Sequence, residues 1–305
     1  MNALILDGKA VAEERYRKLR HQIDSLREKI GKVPHLYAIL VGNDPASLTY
    51  VSAKIKTCEK IGIQSTLKKL PENISENELS EIILSLNEDP EATGILVQLP
   101  LPPHISQEKV IHLIHPEKDV DGFHPLNIGR MTLGSPSLVP ATPRGILTLL
   151  DHYQIDTKGK HCVVIGRSNI VGKPISILLS SPGRDATVTL CHSKTESLHH
   201  YTQDADILIV AVGKPHLVNT TMVKPKSVVI DVGIHRIPDP SRKSGYRLIG
   251  DVHFDEVQRV ASAITPVPGG VGPMTIASLM ENTLIAFQIQ HQLLTQNFWP
   301  KICVK

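Results

Sequence analysis

Aromatic residues are scarce, with one tryptophan, six tyrosines and four phenylalanines in 305 residues. No stretch interleaves aromatic and basic side chains as a nucleic-acid surface would. Charge of one sign is lacking too. Lys and Arg total 33 against 30 Asp and Glu, a net +3 with no basic block, so neither nucleic acid nor an anionic surface is an expected partner. No apolar run is long enough to cross a bilayer, and no membrane association is expected. Cysteine is limited to Cys58, Cys162, Cys191 and Cys303, far apart and without a CxxC pair. That pattern suggests neither a zinc knuckle nor a disulfide framework and fits the reduced thiols of a cytosolic protein. The opening Met1–Gly8 has no basic leader and no small-residue cleavage pattern, and a helical pattern follows at once. The expected compartment is therefore the cytoplasm.

What the chain does contain is an alternation of short apolar runs and amphipathic stretches. Val11, Tyr16, Leu19, Ile23, Leu26 and Ile30 recur at helical spacing over Lys9–Ile30, and Gly31 marks the stop. Leu36–Val41 reads as a buried strand, Ala46–Ile61 as a helix, Ser65–Leu70 as a strand, the residues after Ser75 as a helix and Gly94–Gln98 as a strand. The rhythm restarts after Pro143. A helix over Arg144–His152 precedes strands at His161–Ile165, Ala186–Leu190, Ile207–Val212 and Ser227–Val232, with a helix at Gly172–Ser180. A last helix is expected from Pro273 to about Gln292, with the proline at its first position. Strands alternating with helices predict βαβ units, and hence an α/β fold with parallel sheets.

Four segments carry candidate chemistry. Val163–Pro174 has a strand, the turn Gly166-Arg167-Ser168 and a helix start, the order of a dinucleotide-binding motif. Ser168 stands where the second glycine of that motif would be, and the third is displaced to Gly172, so an ordinary βα turn is the competing reading. The following strand ends Leu190-Cys191-His192-Ser193-Lys194-Thr195 without the acid that holds an unmodified ribose. Arg167, Ser193 and Lys194 suit a 2′-phosphate and favour NADP over NAD. Tyr50 and Lys54 lie four apart on one helix face, against the competing reading of a packing tyrosine and a surface lysine. Gln98 closes an apolar strand and is followed by the stiff run Leu99-Pro100-Leu101-Pro102-Pro103. Asp119 and Asp121 stand two apart and share a face if the chain is extended there; turn formation before Gly122 is the alternative. His112, His115, Glu117 and His124 crowd the same stretch, but the spacing matches no standard zinc pattern and no metal is expected. Thr265–Thr275 packs glycines and prolines into a shaped loop that leads into the last helix, where backbone can approach a ligand closely.

Taken together, Tyr50-Val-Ser-Ala-Lys54, Val97-Gln98-Leu99-Pro100-Leu101-Pro102, Lys118-Asp-Val-Asp121-Gly122, Gly166–Pro174 and Pro266–Thr275 resemble the methylenetetrahydrofolate dehydrogenase/methenyltetrahydrofolate cyclohydrolase family, in that family's order and over nearly the whole chain. The resemblance implies two α/β domains. The first is a folate-binding catalytic domain over 1–143, completed by the C-terminal helix (273–305). The second is a Rossmann-like NADP-binding domain over 144–272. It implies Lys54 as the catalytic lysine, Tyr50 beside the folate ring, Gln98 bonded to Lys54 and Asp121 anchoring the pterin. Val97, Leu99 and the loop residues Pro268, Gly269, Gly270 and Gly272 would contact the substrate, and Gly166, Arg167, Ser168, Ser193 and Ile234 would hold NADP. The implied function is oxidation and hydrolysis of tetrahydrofolate derivatives in one-carbon metabolism, by a homodimer. Two alternatives remain at this point: another two-domain NADP-dependent dehydrogenase of shikimate type, and a non-catalytic folate or nucleotide sensor.

Overall fold

The computed structural model describes residues 2–242 and 245–294. The tail Thr295–Lys305, Cys303 included, lies outside them. Two compact units divide the described residues: Glu13–Ala141 with residues 276–294, and residues 2–12 with Thr142–Thr275. We call them the small-sheet and large-sheet units.

The chain opens with a short strand, β1 (Leu4–Ile5), and enters helix α1 (Gly8–Ile30). The small-sheet unit then alternates β2 (His35–Val41), α2 (Pro45–Ile61), β3 (Gln64–Leu70), α3 (Glu76–Glu88) and β4 (Gly94–Val97). Its three strands are parallel in the order β3-β2-β4. The helix ends are set by local chemistry. Asp44 accepts the N–H of Ser47 at 2.7 Å, Pro45 takes the first turn of α2, and Gly62 closes its end at φ +84°. Ser75 and Glu78 form a capping box at the start of α3. Ile39, Val41, Leu79, Ile83, Ile95 and Val97 pack the core between sheet and helices.

After β4 come α4 (Gln107–Leu113), α5 (Pro125–Thr132) and α6 (Ala141–His152). The large-sheet unit follows with β5 (His161–Ile165), α7 (Gly172–Ser180), β6 (Thr187–Cys191), α8 (Leu198–Thr202), β7 (Ile207–Val210) and β8 (Val228–Asp231). The hairpin β9 (His235–Pro238) and β10 (Tyr246–Ile249) precedes α9 (Phe254–Val257), β11 (Ala263–Ile264) and α10 (Val271–Gln290). The large sheet runs β1-β11-β8-β7-β5-β6, all parallel. β5 and β7 are apolar almost throughout, as strands covered on both faces must be.

The structure thus bears out two α/β units with parallel sheets. It differs at the amino end: β1 pairs with β11 (Leu4↔Ala263, Ile5↔Ile264), so the first residues join the large sheet although they precede the small one. Two residues are too few to show a strand period. Helix α10 starts at Val271, which makes Pro273 its third residue; an N–H at that position would have no intrahelical partner, so the proline's lack of one breaks no helix bond. The carboxyl part of α10 returns to the small-sheet unit. Arg15 Nε of α1 meets Glu281 Oε1 at 2.7 Å, and buried Asn282 donates through Nδ2 to the carbonyls of Val120 and Val139, both at 2.8 Å. Cys58 lies on α2 with its Sγ 3.5 Å from Met280 Sδ; Cys162 and Cys191 are buried in β5 and β6. No helix among the described residues is long and apolar enough to cross a membrane.

Asn282 therefore ties α10 to the segment that carries Asp121. Asn282→Ala leaves two buried carbonyls short of a donor and is expected to cost about 2–3 kcal/mol. A lowered urea midpoint with an unchanged slope is the expected outcome.

Candidate active site

Lys54 sits on α2, more than two turns in from Asp44, and Gln98 directly follows β4, where parallel sheets present functional side chains. The strand end is held by the Gln98 N–H bond to Ile39 O at 2.9 Å. Lys54 Nζ donates to Gln98 Oε1 at 3.0 Å, and Gln98 Nε2 donates to the carbonyl of Leu99 at 2.7 Å. The second bond fixes the amide, so the oxygen and not the nitrogen faces the lysine. Leu99–Pro100 is a cis peptide. Tyr50 is half-buried one turn before Lys54, and Val97 is buried in β4.

Burial holds the Lys54 amine below the ordinary lysine value of 10.5, against the opposing pull of the Asp121 carboxylate. Burial likewise pushes Asp121 up from 3.8 to about 6, with Lys54 opposing and Asp119 adding to the rise. Both residues are half-buried.

The two aspartates do not act as a pair on one face. Asp119 forms a bridge to Ile95 of β4, and the chain turns immediately after it. Its carboxylate accepts from the N–H groups of Gly122 (3.1 Å) and His124 (2.7 Å) and from Asn127 Nδ2 (2.9 Å). Asp119 shapes the turn that presents Asp121. Gly122 is required in that turn: its φ is +75°, and a Cβ would lie 2.5 Å from the Val139 carbonyl carbon. Lys118 is absorbed as well, donating to the carbonyls of Leu86, Asn87 and Asp89 at the end of α3. No cluster of metal-ligating side chains occurs among the described residues.

In the large-sheet unit, Gly166 follows β5 at φ +115°, and a Cβ there would lie 2.1 Å from Ala211 O. A Cβ on Gly172 would lie 1.8 Å from Gly166 O, so α7 packs directly on the turn. Ser168 Oγ accepts the N–H groups of Val171 (3.1 Å) and Gly172 (3.3 Å) and anchors the helix start. Arg167 and Ser168 are exposed on the rim. After β6, Thr195 Oγ1 accepts the His192 N–H at 2.9 Å and leaves Ser193 and Lys194 at the surface; residues 191–195 include no carboxylate. Ile234, between β8 and β9, is an apolar side chain 38% exposed. These features fit a dinucleotide: a side-chain-free turn at the carboxyl end of β5, an apolar surface and basic groups on the rim. The 266–272 loop holds a cis Val267–Pro268 peptide, Gly269 at φ +108°, Pro268 and Gly272 exposed, and Gly270 so close to Gly8 that a Cβ on Gly8 would lie 1.8 Å from its oxygen.

Residues 6–121 match the tetrahydrofolate dehydrogenase/cyclohydrolase catalytic domain, and residues 140–291 match the NAD(P)-binding domain of the same family. The chain belongs to the tetrahydrofolate dehydrogenase/cyclohydrolase family. It is 55% identical over 285 residues to the bifunctional protein FolD of Cytophaga hutchinsonii, covering 92% of this chain and 98% of that one. The Campylobacter jejuni bifunctional enzyme FolD superposes with a TM-score of 0.89 at 47% identity, covering 96% of this chain and all (100%) of that one. The Trypanosoma brucei methylenetetrahydrofolate dehydrogenase-cyclohydrolase, solved with NADP and an inhibitor, gives 0.92 at 38% identity, covering 96% and 99%.

Within this family member, sequence reasoning missed Asp119, Asn127 and Asn282 as the frame around Asp121. The available signal was Asn282, which stands beside Glu281 in the middle of a helix rich in apolar residues.

The raised Asp121 carboxyl has a consequence for stability. The folded state holds that proton more tightly than the unfolded chain between pH 3.8 and about 6, so its contribution to stability falls as pH rises through this window. Asp121→Asn is expected to melt higher than the parent protein above pH 6, and the gap is expected to close as pH falls towards 3.8. Thermal unfolding across that range checks both signs.

Proposed function

We propose that this family member oxidises 5,10-methylene-tetrahydrofolate with NADP and hydrolyses the resulting 5,10-methenyl-tetrahydrofolate to 10-formyl-tetrahydrofolate, as a cytoplasmic homodimer. The observation that carries this reading is the desolvated Lys54 amine bonded to an amide oxygen whose orientation is fixed. A non-catalytic sensor has no use for a lysine kept below its ordinary proton affinity. NADP, when bound, accepts the hydride from the one-carbon bridge. Gly166, Arg167, Ser168, Ser193 and Ile234 would hold it, and the lack of an acid over residues 191–195, with Lys194 in that segment and Arg167 after the neighbouring strand β5, supports a 2′-phosphate over a bare ribose.

In the hydrolytic step, water adds to the cationic methenyl carbon and loses a proton. The hydroxyl left on that carbon becomes the formyl carbonyl as the bond from the carbon to the pterin ring nitrogen breaks, and the hydroxyl proton ends on that nitrogen. An ordinary lysine is almost wholly protonated near neutral pH and cannot receive the proton from water. Burial supplies one shift and the positive charge of the methenyl group supplies another in the same direction. Gln98 occupies one N–H of the amine and so aims its lone pair. Asp121 would accept N–H bonds from the aminopyrimidine ring, with Tyr50, Val97, Leu99 and the loop residues Pro268, Gly269, Gly270 and Gly272 completing the folate contacts.

Mixing the purified protein with methylene-tetrahydrofolate and NADP, and following NADPH and methenyl-tetrahydrofolate by absorbance, tests the whole scheme. NADPH formation with little methenyl build-up is expected; no NADPH with either NADP or NAD overturns the dehydrogenase. Lys54→Met is expected to slow hydrolysis of supplied methenyl-tetrahydrofolate at least about a hundredfold while part of the oxidation survives. Gln98→Glu places a carboxylate against the amine and raises its proton affinity. Its hydrolysis is expected to fall at neutral pH and to recover partly as pH rises, which a pH–rate profile reads directly.

A further inference from the structure

Beyond the glycine turn, the large sheet carries a buried carboxylate that the proposed mechanism does not use. Asp251 follows β10 and is fully buried. Its Oδ2 accepts two consecutive backbone N–H groups, Val212 at 2.8 Å and Gly213 at 3.0 Å, from the turn after β7. Its Oδ1 meets His235 Nε2 at 2.7 Å; His235 opens β9, directly after Ile234 in the turn that follows β8. A second buried aspartate supports the first. Asp231, the last residue of β8, accepts from the N–H groups of Gly233 (2.9 Å), Asp251 (3.0 Å) and Val252 (2.9 Å).

Two glycines make this arrangement possible, one on each side. A Cβ on Gly233 would lie 2.4 Å from Asp251 Cγ, and one on Gly250 would lie 1.8 Å from Asp231 Oδ2. Each turn therefore gives up a side chain to admit the other turn's carboxylate. The connection continues to the cofactor turn. The Val212 N–H held by Asp251 belongs to the same rigid peptide plane as Ala211 O. That oxygen occupies the space where Gly166 would carry a Cβ, at 2.1 Å from its ideal position. Fixing one edge of the plane fixes the other edge against the dinucleotide turn.

We propose that Asp251, steadied by His235, is a positioning residue for the dinucleotide: through one carboxylate it sets the turns after β7 and β8 and, through the 211–212 peptide, the Gly166 turn. This rests on the proposed NADP-dependent function. The ligand class is the same, but neither side chain has to touch it.

The test is calorimetric titration of the full-length protein with NADP, beside hydrolysis of methenyl-tetrahydrofolate, a reaction that consumes no dinucleotide. Asp251→Ala is expected to raise the NADP Kd about tenfold or more, whereas hydrolysis stays within about twofold. Asp251→Asn keeps an oxygen for the Val212 and Gly213 N–H groups and is expected to restore most of the affinity. His235→Ala changes a side chain 18% exposed, so it remains informative if Asp251→Ala does not fold. It is expected to weaken NADP about threefold. Wild-type affinity in Asp251→Ala, or in His235→Ala should the first variant not fold, overturns the inference. So does a loss of hydrolysis in parallel with NADP binding, which marks a general structural role. The parental protein, measured for NADP binding and turnover alongside, tests the proposed function separately.

Discussion

An amine taken out of water must either keep a counter-charge or give up its proton. In this protein the balance is struck at Lys54, whose amine burial holds below its ordinary value against the pull of Asp121 and which is bonded to Gln98. Much of the small-sheet unit serves that balance. The cap at Asp44 sets where α2 begins and so how far along it the lysine stands. The parallel pairing of β2 with β4 sets where Gln98 emerges. The turn built by Asp119, Asn127 and Gly122 places the opposing carboxylate, and Asn282 of the last helix closes that turn from behind. None of these residues needs to meet substrate to matter for what Lys54 can do.

The large-sheet unit solves a different problem by a similar device. Its ligand-binding turns come from strands far apart in sequence, and a loop end held only by its own chain would wander. Close backbone approach through Gly166, Gly172, Gly233 and Gly250 replaces side-chain packing there, and buried aspartates supply the acceptors that the crowded N–H groups require. In both units, then, a carboxylate that never leaves the interior shapes the surface that does the binding.

Much of this was legible in the sequence, for definite reasons. The strands at β2, β4, β5 and β7 are apolar runs bounded by glycine or polar residues, and α2 and α7 carry their own start and stop signals. Lys54 falls on a helix and Gln98 at a strand end, as the βαβ order has them; that the two bond was implied by the family resemblance and not by spacing. Spacing alone could not tell Asp119 from Asp121, because their roles depend on a turn fixed by Asn127 and Gly122; the family resemblance singled out Asp121. Ser168 looked like a defect in a glycine motif, yet it anchors the start of α7. β1 and the β9–β10 hairpin are too short or too polar to show a period. Asp251 was invisible because its partners lie on other strands.

The buried cysteines give this architecture a built-in reporter. Burial pushes the thiols of Cys58 and Cys162 up to about 12 and raises Cys191 as well, so in the folded protein these sulfurs are neither thiolates nor accessible to reagent. Cys58 lies in the small-sheet unit and the other two in the large-sheet unit. A thiol-directed dye can therefore reach each only when its own unit opens. Labelling rates resolved by site would show whether the lysine-bearing half and the dinucleotide-binding half loosen together or one at a time, without any change to the chain.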